Sequence, residues 1–463
     1  MTAAATPAMP LTHPDPGTAV GSVAIVADDL TGGNDSAVQF ARAGWIARLA
    51  LGDAAEQHGA DGSVVAIVTD ARALSPVRAR EATAAAVATA VENGDGRVFL
   101  KIDSTMRGSV ADQVDGAVRA WSAREDGAFA VVCPAYPAMG RTVEAGRLLV
   151  DGAGVETTSV GRDPVTPVHT SALAELLPGS THLAASPRED ARTLAERISS
   201  GVADGARVVT IDAATDADLR LLADALLLLG PRAVPVGSAG LAVEMARVWG
   251  AGLAASGAVN IGAGPARWTG PRHVVVVVSS LHEVSRRQHA HLIEAADAGD
   301  LRASVRTLAP SMDDILDDRL PALPALPSGP DGAASVTVVL APARGSDTPP
   351  EPTAGLPTAA ERVAAALARL AGRILARDGA TALVLLGGEG ARAVLGRQGA
   401  DAILVRDAIR EGMPRGTIEG GLLHGMPVVT KAGGFGSPSA LTEIVPELLD
   451  PRPTEPTTQG DPA

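Results

Sequence analysis

Cysteine is nearly missing from this chain: Cys133 is the only one in 463 residues. A single thiol excludes an internal disulfide framework and a cysteine-based zinc cluster. Aromatic side chains make up 2%, too few for the base-stacking platforms of single-strand nucleic-acid binders. Positive charge is in deficit, with 39 Lys and Arg against 53 Asp and Glu and a formal net charge of −14. Nucleic acid and anionic membrane surfaces are poor partners for such a chain. No apolar run approaches the length of a membrane span. The first twenty residues lack the basic start and apolar centre of a secretory signal. These absences lead us to expect a cytoplasmic protein. The nine histidines do not gather into a metal box, since His289 and His291 are two apart on a predicted helix and face different ways. No dedicated protein metal site is therefore expected.

Lysine is the most telling scarcity. Of 39 basic residues only Lys101 and Lys431 are lysine, and the rest are arginine. A GC-rich codon preference accounts for the bias and makes the two exceptions informative, because a compact ammonium and a planar guanidinium do different jobs. Both fall in motif-like segments.

What is present is apolar residue, 46% of the chain, in short runs that alternate with Ala-rich amphipathic stretches. Ser22–Ala27, Ser63–Thr69, Val98–Ile102, Phe129–Cys133 and Val208–Ile211 read as buried strands, and Asn34–Ala43, Val77–Val91, Val110–Trp121 and Asp190–Ser199 as helices. That alternation implies a largely parallel sheet. A Gly/Ala stretch over 251–270 reads as a linker. The pattern then restarts with strands at His273–Val278, Ser335–Leu340 and Ala382–Leu386 and helices at Glu283–Ala296 and Ala359–Arg377. The expected fold class is α/β: two doubly wound, largely parallel-sheet domains with a cleft between them. They would span 21–250 and 271–450, with disordered segments at 1–20 and 451–463.

Five segments could carry chemistry. Val23–Ala27 runs into Asp28-Asp29-Leu30-Thr31-Gly32-Gly33-Asn34-Asp35, a strand ending at two carboxylates before a glycine turn and a helix. Ligands of open α/β sheets bind at such strand ends, and one carboxylate could take a hydroxyl proton while the other orients the ligand. Either could also simply cap the helix. Lys101 to Gly108 repeats the strand-to-turn arrangement, with Asp103 able to accept from hydroxyls and Arg107 able to fork onto a carboxylate. Pro134 to Thr142 holds Tyr136, the only tyrosine, and two prolines that stiffen a loop. Gly387 to Ala393 offers bare backbone N–H groups to phosphate. It also fits G-x-G-x-x-A from Gly388. Asp407 follows about twenty residues on, at the end of the strand-like Ala402–Val405, which completes the outline of a dinucleotide fingerprint. Lys431 to Gly436 sets a point charge beside three glycines, which suits polyphosphate.

As a set, these segments resemble the four-carbon acid sugar kinase family. The likeness rests on Asp28-Asp29-Leu30-Thr31-Gly32 with Asp35, Thr69-Asp70-Ala71-Arg72, Lys101 to Gly108, Pro134 to Gly146, Val236 to Ala242, Glu411-Gly412-Met413-Pro414 and Lys431 to Gly436. It implies a sugar-acid-binding N-terminal domain with Asp29 and Asp28 as catalytic candidates. Thr31, Asp35, Arg72, Lys101, Asp103, Ser104, Arg107 and Arg141 would contact substrate. It implies a C-terminal domain that binds ATP, with Mg2+ carried on the nucleotide, through Ser280, Gly387, Gly388, Glu389, Gly390, Lys431, Gly433 and Gly434. The implied activity is ATP-dependent phosphorylation of a hydroxyl of threonate, erythronate or 3-oxo-tetronate, with a small-molecule sugar acid as partner and a homodimer as the commonest assembly. The chain departs from the family's usual pattern in two places. A Gly-Ser-x-Ser run is here Ser279-Ser280-Leu281-His282, and Gly390 stands where a Thr usually follows the acid. Two other readings stay open: an NAD(P)-dependent oxidoreductase using Gly388 to Ala393 with Asp407, and a catalytically inactive sugar-acid-binding regulator.

Overall fold

The structure is a computed structural model that describes residues 20–52, 60–163, 165–184, 186, 189–253, 273–323, 334–342 and 358–449. The expectations for the segments 1–20 and 451–463 and for the linker at 251–270 fall almost wholly outside the described residues. The chain divides into two compact units: one reaches Val259 and includes Asp401–Asp407, and the other comprises Asn260–Ala400 and the residues from Ala408 onward.

The first unit contains β1 (Val23–Ala27), β2 (Ile46–Ala50), β3 (Ser63–Val68), β4 (Arg97–Lys101), β5 (Phe129–Cys133), β6 (Arg141–Glu144), β7 (Arg147–Val150), β8 (Ala153–Gly154), β9 (Thr181–Leu183), β10 (Val208–Ile211) and β11 (Ala233–Gly237). Its helices are α1 (Leu30–Arg42), α2 (Pro76–Glu92), α3 (Val110–Trp121), α4 (Leu173–Leu176), α5 (Ala191–Ala203), α6 (Asp216–Leu229) and α7 (Ala239–Trp249). Eight strands form a parallel sheet in the order β2-β3-β1-β4-β11-β5-β10-β9. Every residue of β1 and β5 is buried, which is why both read as unbroken apolar runs rather than alternating ones. β6, β7 and β8 make a separate antiparallel ribbon.

Two sequence expectations need correction here. Ala402–Val405 reads as a strand of the C-terminal domain, but Ala402–Ala408 pairs antiparallel with β2, with Ile403 opposite Leu49. β2 offers a free edge and the segment fills it; which edge a strand fills is a long-range choice that the segment's own pattern does not carry. Helix α1 also starts earlier than the Asn34 expected. Asp29 is extended (φ −151°) and accepts from the Gly32 N–H as an N-cap, so Gly32 and Gly33 form the first helical turn rather than a loop.

Chain order locates the ligand crevice of this sheet. From β1 the chain leaves through α1 toward β2, on one side; from β4, the neighbour of β1, it leaves through α3 toward β5, on the other. The carboxyl ends of β1 and β4 therefore flank a topological switch point, where open α/β sheets bind ligands.

The second unit has β12 (His273–Val278), β13 (Ala303–Leu308), β14 (Ala334–Leu340), β15 (Ala382–Leu386), β17 (Pro414–Glu419) and β18 (Pro427–Lys431), β16 being the strand Ala402–Ala408. Its helices are α8 (Glu283–Asp297), α9 (Met312–Leu316), α10 (Ala359–Asp378), α11 (Gly388–Arg397) and α12 (Ala440–Leu449). The strand order is β13-β14-β12-β15-β18-β17, parallel except for β17 against β18. Here too the chain leaves β12 toward β13 and leaves the adjacent β15 in the opposite sense, so a second switch point lies at the ends of β12 and β15. Among the described residues no helix is long and apolar enough to cross a membrane.

Candidate active site

At the first switch point the ends of β1, β3 and β4 bring three carboxylates onto two guanidinium groups. Arg72, in the turn after β3, donates through Nε to Asp28 Oδ2 at 2.8 Å and through Nη2 to Asp28 Oδ1 at 2.8 Å and Asp29 Oδ1 at 2.7 Å. The same Nη2 stands 3.6 Å from Asp103 Oδ1. Arg107 grips Asp103 from the other side, Nε to Oδ2 at 2.9 Å and Nη2 to Oδ1 at 2.9 Å. Asp103 also accepts from the Thr105 N–H at 3.2 Å and from the Thr105 hydroxyl. The fork of Arg107, expected to be open to a ligand, thus closes on Asp103, and Asp103 has little capacity left for a substrate hydroxyl. The Nη1 of Arg107 reaches Asp163 Oδ2 at the longer distance of 3.3 Å.

The turns are shaped to permit this. Gly108 has φ 86°, and a Cβ there would lie 2.7 Å from the Arg72 carbonyl oxygen, so only glycine lets the two turns close on each other. A Cβ on Gly32 would lie 2.7 Å from Lys101 Nζ, which keeps that buried ammonium near the first turn of α1. Lys101 Nζ itself donates to the Ile102 carbonyl at 2.8 Å.

Asp28 and Asp29, adjacent and equal in the sequence, are different in the fold. The Asp28 side chain is fully enclosed and that of Asp29 is 21% exposed. Burial pushes the Asp28 carboxyl up, only partly opposed by Arg72. Burial acts on Asp29 as well, but Arg72 and Lys101 outweigh it and hold that carboxyl below its usual range. Asp103 is held well below the usual range because Arg107 and Arg72 outweigh its burial. Asp29 Oδ2 accepts from the Thr31 hydroxyl at 2.6 Å, which leaves it one lone pair. Arg141 heads the β6–β7 ribbon and donates to the Met139 carbonyl; burial lowers its pKa, and both Asp103 and Arg107 act on its charge. Ser104 is buried beside Asp103, and Asp35 lies half-buried a turn further along α1. Asp163 is absent from the sequence reading. It lies 56 residues from Arg107 in a loop where its other oxygen caps the Val165 and Thr166 N–H groups at 2.9 Å, a short-range motif indistinguishable from an ordinary turn.

The second switch point is built from glycine, serine and one lysine. The Gly387 N–H donates to the Lys431 carbonyl at 2.9 Å, and the Leu386 carbonyl accepts from the N–H groups of Ser279 and Ser280 at 3.0 and 3.3 Å. These contacts tie the ends of β12, β15 and β18 together. Helix α8 braces the loop after β18: Ser285 donates to the Gly433 carbonyl at 2.7 Å, and Gln288 Nε2 to the carbonyls of Phe435 and Ser437, each at 2.9 Å. Neither residue stands out in the sequence. Gly434 lies against the His282 ring. His282, one of the departures, caps α8 through Nδ1, which accepts from the Val284 N–H at 3.2 Å, and so performs a task a serine would perform. Glu389 is exposed on the first turn of α11.

Lys431 is the outlier among these groups. It is 1% exposed, donates to the Ala432 carbonyl at 2.8 Å, and has no carboxylate against it among the described residues. Burial alone pushes its pKa down to about 8. A buried ammonium without a counter-charge is costly, and bare glycine backbone beside it fits an arriving polyphosphate.

The dinucleotide alternative does not survive the topology. Gly388 to Ala393 lie within α11 rather than in a loop before it. The strand carrying Asp407 belongs to the first unit, while β15 is flanked by β12 and β18, so the required parallel strand–helix–strand unit is not formed.

Comparison with known proteins finds two families along the chain. Residues 23–245 match the family described as a sugar-binding N-terminal domain, and residues 275–441 a nucleotide-binding C-terminal domain. A D-threonate kinase of Bordetella bronchiseptica is 40% identical over 442 residues, covering 94% of this chain and 99% of that protein. A D-threonate kinase of Salmonella typhimurium is 29% identical over 438 residues, covering 91% of this chain and 97% of that one. A solved structure from Salmonella typhimurium LT2, described as a putative tRNA synthase, superposes with a TM-score of 0.68 at 21% identity, over 92% of this chain and 99% of that one; it shares the fold.

Proposed function

Because the chain belongs to the four-carbon acid sugar kinase family, we propose that it transfers the γ-phosphoryl group of ATP to a hydroxyl of a four-carbon sugar acid of the threonate or erythronate type. The observation that carries this reading is the contrast at the two switch points: a partly exposed carboxylate held ionised in one unit, and a buried lysine without a counter-charge among glycines in the other.

Phosphoryl transfer asks for an oriented hydroxyl, a group to receive its proton, and positive charge on the phosphates. Asp29 Oδ2 orients the attacking hydroxyl and takes its proton late, since a loose transition state needs little help from a base. Arg72 and Lys101 keep Asp29 ionised for this. Asp28 never touches substrate; it fixes Arg72, and Asp103 fixes Arg107. The outer edge of Arg107 and Arg141 supply the charge that receives the sugar acid's carboxylate. In the second unit Lys431 and the N–H groups of Gly387 to Gly390 and Gly433 to Gly434 receive the phosphates, with Ser280. The reading has Mg2+ arrive on the nucleotide, where it would neutralise phosphate charge.

A coupled ADP-release assay over D-threonate, L-threonate and D-erythronate tests this. We expect acid-dependent ADP release with at least one of them, and stabilisation by ATP–Mg2+ in thermal shift. ADP release that no sugar acid raises above the acid-free rate would overturn the kinase reading, and sugar-acid binding without turnover would leave a regulator in its place.

A further inference from the structure

The carboxyl end of β12 is pressed into glycine. A Cβ on Gly387 would lie 2.6 Å from Ser279 Oγ, one on Gly390 2.2 Å from Ser279 Cβ, and one on Gly433 1.9 Å from Ser280 Oγ. Non-bonded atoms do not approach so closely, so two serine side chains occupy volume that three glycines leave bare. The Ser279 hydroxyl donates to the Leu386 carbonyl at 2.9 Å. That carbonyl already accepts from the N–H groups of Ser279 and Ser280, at 3.0 and 3.3 Å. A carbonyl oxygen has two lone pairs, so the hydroxyl is a third donor and can turn away without stranding the acceptor. Ser279 is half-buried rather than sealed, and it faces the first turn of α11 across the switch point of the second sheet.

We propose that Ser279 is a further nucleotide-binding residue whose hydroxyl turns from Leu386 to a phosphate oxygen, and that Gly390 is bare because Ser279 fills its side-chain space. The two positions form one steric unit: a side chain stands at one or the other, never at both. The inference rests on the ATP reading above and names a residue of that same site.

Thermal shift with ATP–Mg2+ and steady-state kinetics on Ser279→Ala, Gly390→Ala and the double variant Ser279→Gly/Gly390→Ala test it. Ser279→Ala keeps the Cβ and loses only the hydroxyl. Its KM for ATP should rise about tenfold or more, the loss of one hydrogen bond to a charged group, with the KM for the sugar acid unchanged. Gly390→Ala alone should lower the ligand-free melting temperature and weaken the ATP-induced shift, and adding Ser279→Gly should restore the melting temperature. An unchanged KM for ATP in Ser279→Ala removes the hydroxyl from the site. A harmless Gly390→Ala, or one that Ser279→Gly does not rescue, breaks the steric unit. If the wild-type protein gains no stability from ATP–Mg2+, the nucleotide reading itself fails, whereas a stabilised wild type with indifferent variants overturns only the role of Ser279.

Discussion

The two sheets use the same device and fill it with opposite chemistry. Each places two strand ends at a switch point. At the first, two guanidinium groups are matched by carboxylates: Arg72 meets Asp28, Asp29 and Asp103, and Arg107 meets Asp103 and Asp163. At the second, Lys431 is buried and unmatched among the described residues, and beside it stand serine side chains and bare glycine backbone. A cross-linked cluster of charges holds fixed directions, which suits a small ligand recognised by where its hydroxyls and single carboxylate lie. An unmatched ammonium beside bare N–H groups is a sink for negative charge whose ligand must bring that charge with it. The difference teaches that strand-end position selects where a ligand binds, while the local balance of charge selects which ligand.

The comparison is broken most severely by removing Arg72. Arg72→Ala leaves buried Asp28 without its partner, and breaking a buried pair costs about 3–5 kcal/mol. Chemical denaturation should show a loss of that size together with loss of turnover, and Arg72→Lys should not restore either, since an ammonium cannot span both oxygens of Asp28 and reach Asp29. The next effect is on catalysis alone. Asp29→Asn should lower kcat by about 100-fold or more with the KM for ATP unchanged; a wild-type kcat would remove Asp29 from the reaction.

Lys431 offers a test by pH. Its folded pKa of about 8 lies below the ordinary 10.5. Between those values the unfolded chain holds a proton that the folded chain has released, so this group makes stability rise with pH across that window; its burial penalty is fully present below about pH 8. Binding runs the other way. Above about pH 8 the free protein loses the charge that receives phosphate, so kcat/KM for ATP should fall there. Lys431→Arg should raise the KM for ATP about tenfold and abolish that bend, because a guanidinium stays charged and does not fit where the ammonium sits. A bend retained in Lys431→Arg would assign it to another group. The smallest effect is expected at Asp163. Its contact with Arg107 is long and half-exposed, so Asp163→Asn should change the KM for the sugar acid about threefold and leave the KM for ATP alone.

Much of this was legible in the order of residues. The alternation of apolar runs with Ala-rich stretches predicted parallel α/β sheets because strands buried on both faces must be continuously apolar. The central strands β1, β3, β4, β5, β12 and β15 lie within a residue or so of where that pattern puts them. Strand ends followed by polar turns marked Asp28, Asp29, Asp103, Arg107 and Lys431, because ligands of such sheets gather there; Arg72 was reached only through the family resemblance. Short or half-exposed strands such as β2, β9 and β13 were not legible, since their burial is incomplete and their patterns weak.

What the sequence by itself determined is therefore the class of fold and the places where chemistry could occur, both set by periodicities only a few residues long. Tertiary structure decided what each residue does at those places. It enclosed Asp28 and left Asp29 open, moved Ala402–Ala408 to the edge of β2, and set Ser279 into the space of Gly390 from 111 positions earlier in the chain. Each outcome depends on which distant segment arrives beside a residue, and desolvation, pairing of charges and steric exclusion act only between atoms already brought together.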